Sequence, residues 1–194
     1  KVDAILADLF VGVTKLRPDT LFVIASDHGE GLRYPEHHGK GHGNHLYETH
    51  IASPSIWNHP ELSPARFSGL TMNIDVKPTL MGLLDAAGSE PTDGVDFSQM
   101  VRGESDWAGH QYAFAETFYA RSNKATVISS THQLVRRHRK KKKPPILQSL
   151  HAVEDKLSEN DLIGTLPEVE STLSHQLDQW LAEMSVRWEQ AGAP

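Results

Sequence analysis

Seven of the 12 histidines lie between positions 28 and 59: His28, His37, His38, His42, His45, His50 and His59. An imidazole can ligate a metal, carry a proton near neutral pH or donate to an anionic oxygen, and no loop needs such a density merely to fold. The sharpest element is Ser26-Asp27-His28-Gly29-Glu30. Asp27 offers a hard oxygen ligand and His28 a nitrogen, while Gly29 lets the chain turn sharply behind them. A second group follows in His38-Gly39-Lys40-Gly41-His42-Gly43-Asn44-His45-Leu46-Tyr47-Glu48. Its glycines permit close backbone approach to a bound group, and Lys40, His42 and His45 can place positive charge on an anionic oxygen. A zinc site built from His42 and His45 alone is an alternative. Their spacing of three, without further ligands, is a weaker pattern than the composite.

These residues need elements to hold them. Val2, Ile5, Leu6, Leu9, Phe10, Val13 and Leu16 recur with helical period, and Leu21 to Ser26 is an almost continuous apolar run. A run apolar on both faces suits a central strand of a helix-covered parallel sheet. The Asp27–Glu48 segment then leaves the strand's carboxyl end, where open α/β sheets gather functional residues. Pro54 to Trp57 predicts a second strand and Val76 to Ala87 a helix. Tyr112–Phe118, Thr126–Ser130 and Gln133–Arg136 predict short strands, the last two a hairpin or meander, and a further short run, Ile146–Val153, follows the basic tract. A final helix is marked by Pro167 in its first turn, by a capping box from Thr165 to Glu168, and by the stripe Val169, Leu173, Leu177, Trp180, Leu181 and Met184. The tail from Trp188 is expected to fray. The fold class is therefore α/β: part of a mostly parallel sheet with flanking helices, then a small antiparallel sheet packed with a carboxyl-terminal helix. Residues 1–105 are assigned to the first domain and 106–194 to the second.

Asp19 to Glu30, followed by Gly41-His42-Gly43-Asn44-His45-Leu46-Tyr47-Glu48, resembles the carboxyl-terminal half of a sulfatase of the alkaline phosphatase superfamily. Ile74-Asp75-Val76-Lys77-Pro78-Thr79-Leu80 with Asp93-Gly94-Val95 is similar to the family's next motif block, and Leu166-Pro167-Glu168 leading to Leu177–Leu181 to its closing helix. The resemblance implies a divalent-metal hydrolase of sulfate esters in which Asp27 and His28 help hold the metal, calcium first, with zinc or manganese as alternatives. A histidine where many sulfatases carry asparagine keeps phosphate and phosphonate esters in view, since a nitrogen ligand favours zinc, manganese or iron. It further implies that a basic group of the Gly-rich segment contacts the sulfate or leaving oxygen: His42 first, then Lys40 or His45. The family's nucleophile, a formylglycine made from Cys or Ser in a Cys/Ser-x-Pro-x-Arg block, has no counterpart here. The chain has no cysteine, and Ser63-Pro64-Ala65-Arg66 lacks one residue of the spacing. The implied partners are the ester substrate and a missing amino-terminal half carrying the nucleophile and the remaining ligands.

Composition supports a folded domain and excludes other classes. The 194 residues are 38% hydrophobic, enough for a core. Apolar runs are only a handful of residues long, too short for a membrane span. Net charge is −6, yet seven of the 19 basic residues are Arg136, Arg137, Arg139 and Lys140 to Lys143. A cationic tract on an acidic body supports an alternative, non-catalytic module that grips polyanions through residues 136–143. The simpler reading is a solvated loop between two strands, since no nucleic-acid motif surrounds it and no specific nucleic-acid partner is expected.

Overall fold

A computed structural model describes residues 1–32, 40–86, 92–118, 123–138, 147–156 and 158–192. Two compact units emerge: one of residues 1–27, 53–68 and 72–108, the other of residues 28–52, 69–71 and 109–194.

In the first unit, helix α1 (Val2–Leu16) precedes strand β1 (Phe22–Ala25). Arg17-Pro18-Asp19-Thr20 turns the chain between them, with Thr20 Oγ1 donating to Arg17 O at 2.8 Å. Of the predicted stripe on α1, only Leu6, Phe10 and Val13 are half-buried. Val2, Ile5, Leu9, Val11 and Leu16 are each more than half exposed, between 54% and 81%. Phe10 meets Phe22 with ring centroids 4.4 Å apart. Strand β1 pairs antiparallel with β4 (Ser55–Asn58), Phe22 opposite Asn58 and Ala25 opposite Ser55. The expected parallel partner for β1 is thus not the one seen. All strand ladders among the described residues are antiparallel. The apolar run of β1 is half-buried at Phe22, Val23 and Ile24 and exposed at Ala25, so this chain covers it only in part.

Helix α3 (Val76–Leu83) and the short α4 (Ser98–Val101) complete this unit around stacked rings. Phe97 lies 5.5 Å from Trp107 and edge-on to Trp57 at 5.9 Å. The Ile74–Leu80 and Asp93–Val95 motifs interlock here. Asp75 is fully buried, its carboxylate accepting Met72 N–H at 2.8 Å and Val95 N–H at 2.9 Å. Thr79 Oγ1 accepts Phe97 N–H at 3.2 Å. A Cβ at Gly94 would lie 2.0 Å from Ile74 O, which only glycine tolerates.

The second unit contains a four-stranded antiparallel meander: β5 (Ala113–Thr117), β6 (Asn123–Ile128), β7 (His132–His138) and β8 (Leu147–Ala152). Helix α5 (Pro167–Gln190) lies on one face. There Ala125, Val127, Leu134 and Leu150 pack on Leu173 and Leu177, all buried, with Phe114 stacked on Trp180 at 5.1 Å. Pro167 starts α5 as predicted, but the capping box does not form. The N-cap is Leu166, one residue past Thr165, whose hydroxyl instead donates to Leu162 O at 2.6 Å. Glu170, not Glu168, reaches back, accepting Gly164 N–H at 3.0 Å. The helix continues through Trp188 to Gln190, further than expected.

Among the basic residues, Arg136 is buried and pairs with Asp178 of α5. Its place opposite Ala125 puts it on the helix-covered face, which removes it from any exposed tract. Arg137 is exposed, while Arg139 and Lys140 to Lys143 lie outside the described residues.

Candidate functional site

The histidine-rich segment 28–52 belongs to the second unit. Its start is pinned by backbone: Gly29 N–H donates to His50 O at 2.9 Å. A Cβ on Gly29 would stand 2.3 Å from Thr49 O and 3.0 Å from Ala52 O, so the residue after His28 must be glycine. A two-residue ladder then pairs β2 (Gly31–Leu32) with β3 (Lys40–Gly41), Gly31 opposite Gly41. A Cβ on Gly31 would meet the His50 imidazole Nε2 at 2.7 Å and Gly41 O at 2.9 Å. The ladder carries the chain back on itself and sets His42 against His28.

His28 and His42 are stacked, ring centroids 4.3 Å apart at 30°. His28 Nδ1–H donates to Gly29 O at 2.7 Å, placing the lone pair of the neutral ring on Nε2. His42 Nδ1 sits 3.0 Å from Glu30 Oε2. Glu30 thus orients His42, a role its position in the Asp-His-Gly-Glu run did not reveal. Asp27, consecutive with His28, lies in the first unit, where Asn73 Nδ2 donates to its carbonyl at 2.8 Å and to Ser26 O at 3.1 Å. Among the described residues no group of three or more His, Asp or Glu is placed to hold a metal. By its chemistry the Nε2 lone pair of His28 is a donor of the kind that zinc or manganese accepts.

His45 stacks on Tyr47 at 5.2 Å and 17°, and meets His50 at 5.5 Å. His50 is buried in the short helix α2 (Glu48–Ile51), with Thr49 Oγ1 3.1 Å from its Nδ1. Burial, with the Asp161 carboxylate second, pushes the Tyr47 phenol above its ordinary pKa. Lys156 Nζ donates to Glu48 Oε1 at 2.9 Å. Tyr47 and Glu48 therefore act as anchors of the loop. The Lys40 side chain, His37 and His38 lie outside the described residues. A cleft of about 450 Å³ in the first unit, lined in part by Asp19, His59, Arg102 and Glu104, contains none of the expected site residues.

Three residues that the sequence reading missed come from the meander. Thr117 and Lys124 are register partners, and Gln133 shares their face because side chains alternate along each strand. Thr117 Oγ1 donates to Gly43 O, Lys124 Nζ to Asn44 O, and Gln133 Nε2 to Leu46 O at 2.6 Å. The face opposite α5 is thus the floor of the loop. Alternation of Lys124 and Thr126 with Ala125 and Val127 signals a polar face in the sequence, but not the segment some 80 positions away that it would hold.

The sulfatase family model matches residues 1–86. No curated protein matches the chain in sequence. Among solved structures, a 2-O GAG sulfatase superposes with a TM-score of 0.70 at 18% identity, over 88% of this chain and 38% of its own. A protein solved with its substrate D-glucosamine-2-N,6-O-disulfate gives 0.76 at 19%, over 97% and 39%. The phosphonate monoester hydrolase of Agrobacterium radiobacter gives 0.72 at 17%, over 94% and 39%. The chain therefore spans about two fifths of the length of these neighbours. Residues 1–86 are thus similar to the sulfatase family, and the chain as a whole carries a fold shared with part of these sulfatase and phosphonate monoester hydrolase structures.

Proposed function

We propose that the 194 residues are the carboxyl-terminal part of a metal-dependent hydrolase of sulfate esters, inactive without an amino-terminal half that carries the nucleophile. The observation that carries this reading is the His28–His42 stack inside a stretch similar to the sulfatase family. Partial coverage of the apolar run of β1 and the exposed apolar residues of α1 support a larger parent sheet, in which β1 gains the parallel neighbour its sequence calls for. Residues 1–105 then belong to the hydrolase domain and 106–194 to a subdomain.

Asp27 and His28 are assigned to the divalent metal, calcium first, with zinc or manganese as alternatives. Bound there, the metal would neutralise charge on the ester oxygens. His42, its Nδ1 turned to Glu30, uses Nε2 to exchange a proton with the leaving oxygen as the bond to sulfur breaks. Lys40 and His45 supply further positive charge or donors to the anionic oxygens. A second reading keeps the site and changes the ester to a phosphodiester or phosphonate, or makes the reaction phosphoglycerol transfer. It is favoured by the nitrogen ligand His28 and by fold likeness to a phosphonate monoester hydrolase. The polyanion-binding alternative loses Arg136, which is committed to Asp178.

The test compares hydrolysis of matched aryl sulfate and aryl phosphate esters by the protein from the complete reading frame, metal-stripped and then resupplied with calcium, zinc or manganese. Sulfate cleavage restored by metal and lost in H42A is expected. Preference for the phosphate moves the assignment to the second reading. Cleavage of neither ester, or enzyme-like turnover by the 194 residues alone, refutes the proposal.

A further inference from the structure

We propose that Lys124 is a positioning residue that fixes His45 as its Nε2–H tautomer. The Lys124 ammonium donates to Asn44 O and lies 3.3 Å from His45 Nδ1. An ammonium has three donors and no acceptor, so Nδ1 must receive the hydrogen bond and the ring proton must sit on Nε2. His45 is thereby presented as a donor through Nε2, the form suited to an anionic oxygen, and its Nδ1 is engaged and closed to a metal. That selects between the two roles the histidine-rich segment left open for His45.

The geometry around the contact is built, not incidental. Thr117 and Gln133 hold Gly43 O and Leu46 O on either side, and Tyr47 stacks on the His45 ring. Gln133 is itself buried and bridged to Thr126 Oγ1 at 3.0 Å. Burial, and then the Arg137 guanidinium, draw the Lys124 pKa below the usual lysine value. The tautomer assignment stands without any activity. Its consequence for catalysis rests on the ester-hydrolase reading above.

Long-range proton–nitrogen NMR of the histidine-labelled 194-residue chain reads the tautomer directly. His45 should show the Nε2–H pattern near neutral pH in the wild type, a measurement that needs no variant. K124M should convert it to a mixture or to Nδ1–H, K124R should restore it, and T117V should leave it unchanged. An Nδ1–H signal in the wild type, no change in K124M, or an equal change in T117V overturns the proposal. In the protein from the complete reading frame, K124M should lower kcat about tenfold to a hundredfold, the order expected when a catalytic group is misplaced, with KM nearly constant and rescue by K124R. Loss of KM alone would refute the positioning role. A wild-type protein that cleaves neither ester would overturn the hydrolase reading instead, with Lys124 still decided by the spectrum.

Discussion

Replacing Asp75 by asparagine should destabilise the first unit while touching no residue assigned to chemistry. Asp75 is fully buried and accepts two backbone N–H groups, from Met72 at 2.8 Å and Val95 at 2.9 Å. These bonds tie the start of α3 to the Asp93–Val95 turn. Asparagine keeps one oxygen for one donor and turns an amide NH2 toward the other. One charge-assisted bond is lost and a buried donor faces a donor, a cost of about 2–4 kcal/mol. Alanine loses both bonds and should cost about 3–6 kcal/mol. Urea unfolding followed by tryptophan emission measures this, in a W180F, W188F background so that Trp57 and Trp107 of the same unit report. A shift below about 0.5 kcal/mol for D75N, the usual size for an uninvolved surface position, would refute the reasoning. It would also return the motif to the list of functional candidates.

Other outcomes follow from the same contacts. G29A forces its new methyl to within 2.3 Å of Thr49 O, so the turn behind His28 must move by several tenths of an ångström. The cost should be about 1–3 kcal/mol with a shifted His28 resonance in NMR, and an unmoved resonance would argue against the pin. At α5, D178A should destabilise more than R136M although Asp178 is 64% exposed, because it strands a buried guanidinium; equal unfolding midpoints would contradict this. Asp155 has its carboxyl held below the ordinary range, first by the Asn160 N–H. Its folded pKa lies under the unfolded one, so its stabilisation is complete above the unfolded value and disappears as pH falls through the depressed one. The stability gap between wild type and D155N should therefore be flat from pH 7 to about 5 and close on further acidification, and a gap that widened would reverse the sign.

The sequence by itself determined the local elements and the types of residue available for chemistry. Helical period, alternation and Pro167 are nearest-neighbour signals, so α1, β1, β4, the meander and α5 were legible from them. Asp27, His28 and His42 stand out in the sequence because glycines and imidazoles cluster in a short segment, and the fold brings His28 and His42 into a stack. Spacing cannot choose a hydrogen-bond partner, so Thr165 looked like a cap while Leu166 took that place. Only the tertiary structure decided that Glu30 orients His42, that Arg136 is buried under α5, and that Asp75 is a knot of the fold. It alone placed Thr117, Lys124 and Gln133 beneath a loop some 80 residues earlier in the chain. Such contacts depend on which faces meet once apolar surface is buried, and burial is a property of the assembled layers that no window of sequence contains.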